Sequence, residues 1–108
     1  MTSNDNWQQW WRTLTETDIA KTAPKAKEYS AVDLAIMGDV LRKWTLGGED
    51  QPDRIGQEMA VMLYLLGKVA RAIGAYQEGH IPSDDTLDDI RIYAVMLKRI
   101  RDKGAWPA

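Results

Sequence analysis

Apolar residues recur along this chain at helical spacing, and nowhere do they alternate in the two-residue rhythm of a strand. The longest run is Ile55 to Tyr76, where Ile55, Met59, Met62, Leu66, Val69, Ile73 and Tyr76 step by alternating fours and threes. The spacing predicts one unbroken helix, on the order of 30 Å long, with an apolar seam along its full length. Between Met59 and Leu66 the seam widens, because Ala60, Val61, Leu63, Tyr64 and Leu65 leave almost no polar position around the circumference. A helix that is apolar all round must be covered all round. Three helices and a short fourth cannot enclose that stretch, so it predicts a homodimer or higher homo-oligomer formed through the Met59 to Leu66 part of the helix.

Other elements follow from their boundary chemistry. Ser30 and Asp33 form an S-x-x-D capping box, Tyr29 and Leu34 fit the flanking staple, and a helix is predicted from Ala31 with Leu34, Met37, Val40, Leu41 and Trp44 inward, ended by Gly47-Gly48. Gly79 to Ser83 is a turn, and a last helix is predicted from Asp84–Thr86 to Gly104, with Leu87, Ile90, Ala94, Leu97 and Ile100 inward. At the N-terminus, Trp7, Trp10, Trp11 and Leu14 make one stripe of a short helix, while Thr15 to Ala23 reads as irregular or weakly helical. The fold class is all-α: a single domain of three main antiparallel helices plus a short N-terminal one. Residues 1–23 are a Trp-rich helix and connector, 24–104 the core, and 105–108 a tail to be pinned by the Trp106 indole.

Composition narrows the chemistry. The 108 residues contain no cysteine and one histidine, which excludes disulfides and thiolate metal sites and leaves little for zinc. A net charge of −2 supplies no broad basic field for duplex DNA. Met1 to Trp11 lacks the pattern of a signal peptide, and Ala60 to Leu66 stops at Lys68, short of a membrane span. The expectation is a soluble cytoplasmic protein.

An up-down-up arrangement would gather at one pole the start of the Ala31 helix, the end of the long helix and the start of the last. Lys25, Lys27, Tyr29, Lys68, Arg71, Tyr76, His80, Asp84, Asp85, Asp88, Asp89 and Tyr93 would meet there. Asp85 and Asp89 stand one turn apart, as do Asp84 and Asp88. Two carboxylates so spaced can share a Mg²⁺ that keeps waters for a phosphate to replace, and Lys68 with Arg71 could hold the phosphate oxygens. Against this stands a plain structural role: acids in a first turn are favoured by the helix dipole at about 0.3–1 kcal/mol each, and the Lys/Arg pair could simply neutralise them.

Three segments carry a resemblance: Lys27-Glu28-Tyr29-Ser30 followed by Asp33, GKVARAIGAY from Gly67 to Tyr76, and PSDDTLDDIRIYAVM from Pro82 to Met96. Together they resemble the small phage proteins of the nucleotide-modification-associated domain class, over about Lys25 to Arg101. More distantly they are similar to the MazG-like all-α nucleoside triphosphate pyrophosphohydrolases, which bind Mg²⁺ through acidic helix residues and act as dimers or tetramers. Serine stands at position 30 where the class usually has glycine, and the E-x-x-E then E-x-x-D signature of the hydrolases is missing, with Asp85-x-x-Asp88 its nearest echo. The resemblance therefore implies a phosphate-and-metal site and does not by itself imply hydrolysis. It implies nucleotide or phosphate contacts at Lys27, Tyr29, Lys68, Arg71 and Tyr93, Mg²⁺ ligands at Asp85 and Asp89, and a host-cell cytoplasm if the chain is phage-encoded. The alternative is a non-enzymatic helical protein that docks on a host protein or sequesters a signalling molecule through Trp7, Trp10 and Trp11, since tryptophan is enriched at binding hot spots.

Overall fold

In the computed structural model, the described residues are 3–29, 31–45 and 53–107, with the side chains of 3–5, 27–29, 31–33, 45 and 53 outside the description. Among the described residues the chain is all helical, with no strand. It runs α1 (Ser3–Thr22), a 3₁₀ segment (Ala23–Tyr29), α2 (Ala31–Thr45), α3 (Asp53–Gln77) and α4 (Asp84–Lys103).

Helix α3 is the single long helix that the 4-3 spacing predicts, and α2 and α4 both pack against it. Its pairing with α4 is antiparallel: Arg54 donates to the Arg101 carbonyl at 3.3 Å, Glu58 accepts from Arg101 at 2.6 Å, Tyr64 stacks on Tyr93, and Lys68 meets Asp89 at 2.9 Å. On the other flank α2 approaches so closely that a Cβ on Gly56 would lie 2.1 Å from the Gly38 carbonyl oxygen. Only residues without side chains allow two helix backbones to touch there. Farther along, the Tyr64 hydroxyl donates to the Met37 sulfur at 2.8 Å. The buried core is small among the described residues: Leu34 from α2, Ala60 and Val61 from α3, and Ile92, Met96 and Ile100 from α4. Val40, Trp44 and Leu87, expected inward, are exposed because α2 and α4 turn other residues toward α3.

Helix boundaries at α4 follow the residues that predict them. Ser83 is the N-cap, its hydroxyl accepting from the Thr86 amide at 3.2 Å, and Gly104 closes the helix at φ +86° with its amide 2.7 Å from the Ile100 carbonyl. Gly79 supplies the positive φ in the preceding turn. Helix α2 begins at Ala31 as the capping box predicts, although the cap side chains of Ser30 and Asp33, like Gly47-Gly48, lie outside the described residues.

The N-terminal region departs from expectation. Thr15 to Thr22 is not irregular: α1 is a continuous helix of 20 residues. Thr15 and Thr17 each return their hydroxyl to the carbonyl four residues back, at 2.9 Å, so these threonines are accommodated within the helix. Helix α1 lies antiparallel along the outer side of α4, held by the Arg91–Asp18 ion pair, and leaves an apolar groove of about 480 Å³ between the two, lined by Trp11, Leu14, Ile19, Ile92, Val95 and Trp106. Trp106 is half-buried against the core through its ring, while its indole nitrogen is buried with no hydrogen-bond partner among the described residues. Packing, not that N–H, pins the tail.

Two features mark the molecule as open. Its radius of gyration, 16.4 Å, exceeds the roughly 13 Å of a compact chain this long. The outer seam of α3 is uncovered as well, with Met62, Leu66, Ile73 and Tyr76 each more than half exposed. By length and composition Arg54–Gln77 would suffice to cross a membrane, which corrects the expectation drawn from the shorter run ending at Lys68. The helix continues apolar beyond that lysine, whose ammonium is turned toward Asp89 on α4.

Candidate functional site

Helix α4 begins with four aspartates in its first two turns, and the chain direction of α1 and α3 decides which bases meet them. Asp89 faces α3, where the Lys68 ammonium lies 2.9 Å away and both groups are partly buried. Asp88 faces α1: it takes a hydrogen bond from Arg91 on its own helix, and Lys21 lies 3.6 Å off. Asp84 and Asp85 are exposed and make no ion pair among the described residues. Asp85 nevertheless lines a cleft of about 510 Å³ between α1, the 3₁₀ segment and the start of α4, together with Asp18, Lys21, Lys25, Asp88 and Asp89. Lysines and aspartates from three elements therefore border one opening.

Arg91 anchors the cleft wall. Its guanidinium forks onto both Asp18 oxygens at 2.8 and 2.9 Å while also reaching Asp88. That fork holds the Asp18 carboxyl below its usual pKa and pushes Arg91 further up. On the α3 side Tyr93 stacks on Tyr64 with ring centroids 5.9 Å apart. Burial, reinforced by the nearby Asp89 carboxylate, raises the Tyr93 phenol, and the Arg71 charge pulls in the opposite direction, which places Arg71 within electrostatic reach of the ring.

The pole expected from sequence is thus assembled in part. Lys68, Arg71, Asp89 and Tyr93 lie along the α3–α4 seam, and Lys25, Asp85 and Asp88 line the cleft around the corner of α4. Lys27 and Tyr29 belong to the 3₁₀ segment, but their side chains lie outside the described residues. His80 is an exposed turn residue 4.0 Å from Glu78. At the far pole the charges pair with one another, Arg101 with Glu58 between α4 and α3 and Lys98 with Asp102 within α4. Asp18 and Lys21 are cleft residues that the spacing of charges did not single out, nor did it single out Arg91, which holds Asp18 and Asp88 from beside the cleft. The signal was present: Trp7, Trp11, Leu14, Asp18 and Lys21 step by 4, 3, 4 and 3, so the tryptophan face continues into the charged one.

The donor set bears on metal. Among the described residues no group of three or more carboxylates or imidazoles is placed to hold an ion. Asp85 and Asp89, one turn apart, are two oxygen donors of the kind Mg²⁺ takes when the remaining positions are filled by water and phosphate. Together the described residues offer no cage for a bare ion, and Asp89 is already held by Lys68. The alternative site lies farther along α1: Trp7 and Trp11 stack at 6.2 Å, and Trp7, Trp10 and Trp11 are 53%, 66% and 59% exposed.

No protein-family model, curated protein or solved structure matches the chain.

Proposed function

We propose that this chain is a nucleotide-handling protein, built on an antiparallel helical scaffold, that binds nucleotide phosphate together with Mg²⁺ at the start of α4. The observation that supports this reading is the bordering of one cleft by Lys21, Lys25, Asp85, Asp88 and Asp89, with Lys68 holding Asp89 from behind. An anion alone would be repelled by the four carboxylates of the cleft, Asp18 included, and a bare cation by the lysines. A phosphate carrying its own divalent ion satisfies both sets.

In this reading Asp85 and Asp89 bind the ion, which would supply charge neutralisation and polarise the phosphate. Lys68 then exchanges Asp89 for a phosphate oxygen, and Arg71, one turn on, offers a two-pronged contact. Lys27, Tyr29 and Tyr93 frame the nucleotide on the strength of the resemblance. If a phosphate bond is cleaved, the same cations offset charge that develops in the transition state.

Isothermal titration with the common nucleoside triphosphates, with and without Mg²⁺, tests the proposal. Binding should require Mg²⁺ and weaken at least tenfold in Lys68→Ala and Asp89→Asn. Absence of heat and of any melting shift with all of them overturns it. A second reading, a helical interaction protein that docks on a host protein, is favoured by the exposed tryptophan stripe. It expects Trp7→Ala with Trp10→Ala to abolish partner capture while leaving nucleotide titrations unchanged.

A further inference from the structure

We propose that the outer seam of α3 is the surface on which a second copy of this chain docks, α3 against α3, over Met59 to Tyr76. This stands independently of the nucleotide reading.

Within a single chain the seam is left open. Met62, Leu66, Ile73 and Tyr76 are 54%, 61%, 52% and 63% exposed, with Leu63 and Val69 beside them at 47% and 37%. Six such side chains hold on the order of 600 Å² per copy, or about 1,200 Å² in a symmetric pair, which reaches the range of specific interfaces. A monomer seldom leaves that much contiguous apolar surface in water.

The spacing specifies the kind of occupant. Met59, Leu66 and Ile73 take one inward position of a seven-residue repeat, and Ile55, Met62, Val69 and Tyr76 take the other. That repeat describes a helix prepared to wrap another helix, each side chain entering a hole between four of the partner's. A groove of about 420 Å³, lined by Leu41, Ile55, Met59, Met62 and Leu63 with the Glu58–Arg101 pair at its edge, opens along its first half. From Met59 on, the positions flanking the repeat, Leu63, Leu65, Ala70 and Ala72, are uncharged, and the charged one before them, Glu58, is already paired with Arg101 of its own chain, so the seam asks for no oppositely charged partner. A surface of this kind is self-complementary, and a second copy of α3 brings the matching repeat.

The other occupant by length and composition is a lipid bilayer. Its difficulty lies on the same helix: Glu58 and Lys68 are tied to Arg101 and Asp89 of α4, so α3 cannot enter a bilayer without breaking those pairs or dragging a charged helix with it. Pairing through the seam leaves Lys68 facing α4, so both candidate sites of the dimer remain intact and face away from the interface.

The test is mass together with cross-linking on the full chain. Sedimentation equilibrium at micromolar concentration should give about twice 12.3 kDa, and Leu66→Asp should return the monomer mass. Should that variant fail to fold, Leu66→Ala with Ile73→Ala should still raise the dissociation constant at least tenfold. Because the chain has no cysteine, single cysteines at Met59, Leu66 and Ile73 can be oxidised one by one. A disulfide-linked dimer from at least one of them, and none from Lys98→Cys on the exposed side of α4, supports the proposal. A monomer at 100 µM overturns it, as does cross-linking at position 98 alone, or sedimentation of the protein with vesicles of phosphatidylcholine and phosphatidylglycerol. The nucleotide reading is scored separately by Lys68→Ala, which should lose titration heat and keep the wild-type mass.

Discussion

Helix α3 has two faces that both carry apolar side chains and meet opposite fates. On the inner face Ala60 and Val61 are fully buried and Glu58, Tyr64 and Lys68 each meet a partner on α2 or α4. On the outer face Met62, Leu66, Ile73 and Tyr76, no less apolar, face outward. The difference teaches that hydrophobicity alone does not say which partner covers a helix. The inner face carries charges and close-packed glycine that specify two particular neighbours in the same chain. The outer face carries only an apolar repeat, the surface proposed above to take a second copy of the helix.

Glycine substitutions break this comparison most sharply. Gly56→Ala should destabilise by about 3 kcal/mol or more, the upper end of overpacking costs, because the new methyl would meet the Gly38 backbone at 2.1 Å and the obstacle is backbone, which cannot rotate aside. Denaturant unfolding measures it. A second effect is a pH dependence at the α1–α4 contact. The Asp18 carboxyl is lowered by Arg91, so its folded value lies below its unfolded one. Its contribution to docking α1 is therefore complete above the unfolded carboxylate range and lost as pH falls through the lowered folded value. Tryptophan fluorescence should show this acid transition in the wild type, and Asp18→Asn should remove it. Smaller again, Ser83→Ala should cost about 1 kcal/mol of thermal stability by leaving the Thr86 amide without its cap. Smallest is a gain: Gly67 on the outer side of α3 has open space around its Cα, and Gly67→Ala should stabilise by roughly 0.5–1 kcal/mol through helix propensity. The same substitution thus has opposite signs on the two sides of one helix.

Periodicity and caps made most of the fold legible. The 4-3 spacing of α3, Ser83 and Gly104 around α4, and the start of α2 at Ala31 all appear where local chemistry places them. Thr15 to Thr22 misled because β-branched and charged residues obscure a period that tertiary contacts with α4 complete. The candidate site was legible as a gathering of charge and not as a partnership. Spacing could place Lys68 and Asp89 at the same end, yet it could not show that they pair at 2.9 Å, or that α1 would contribute Asp18 and Lys21. Those depend on the path of α1, whose 4-3 stripe continues past Leu14 through the polar Asp18 and Lys21, where a hydrophobic pattern no longer marks it.

The central claim, that α3 is covered on one side by its own chain and on the other by a second copy, is tested most directly by methyl NMR with a soluble paramagnetic probe across a dilution series. The account predicts that Leu34 and Val61 methyls stay shielded at every concentration, while those of Leu66 and Ile73 are shielded when concentrated and become bleached on dilution. Bleaching of Leu66 and Ile73 at all concentrations up to the millimolar range would contradict it.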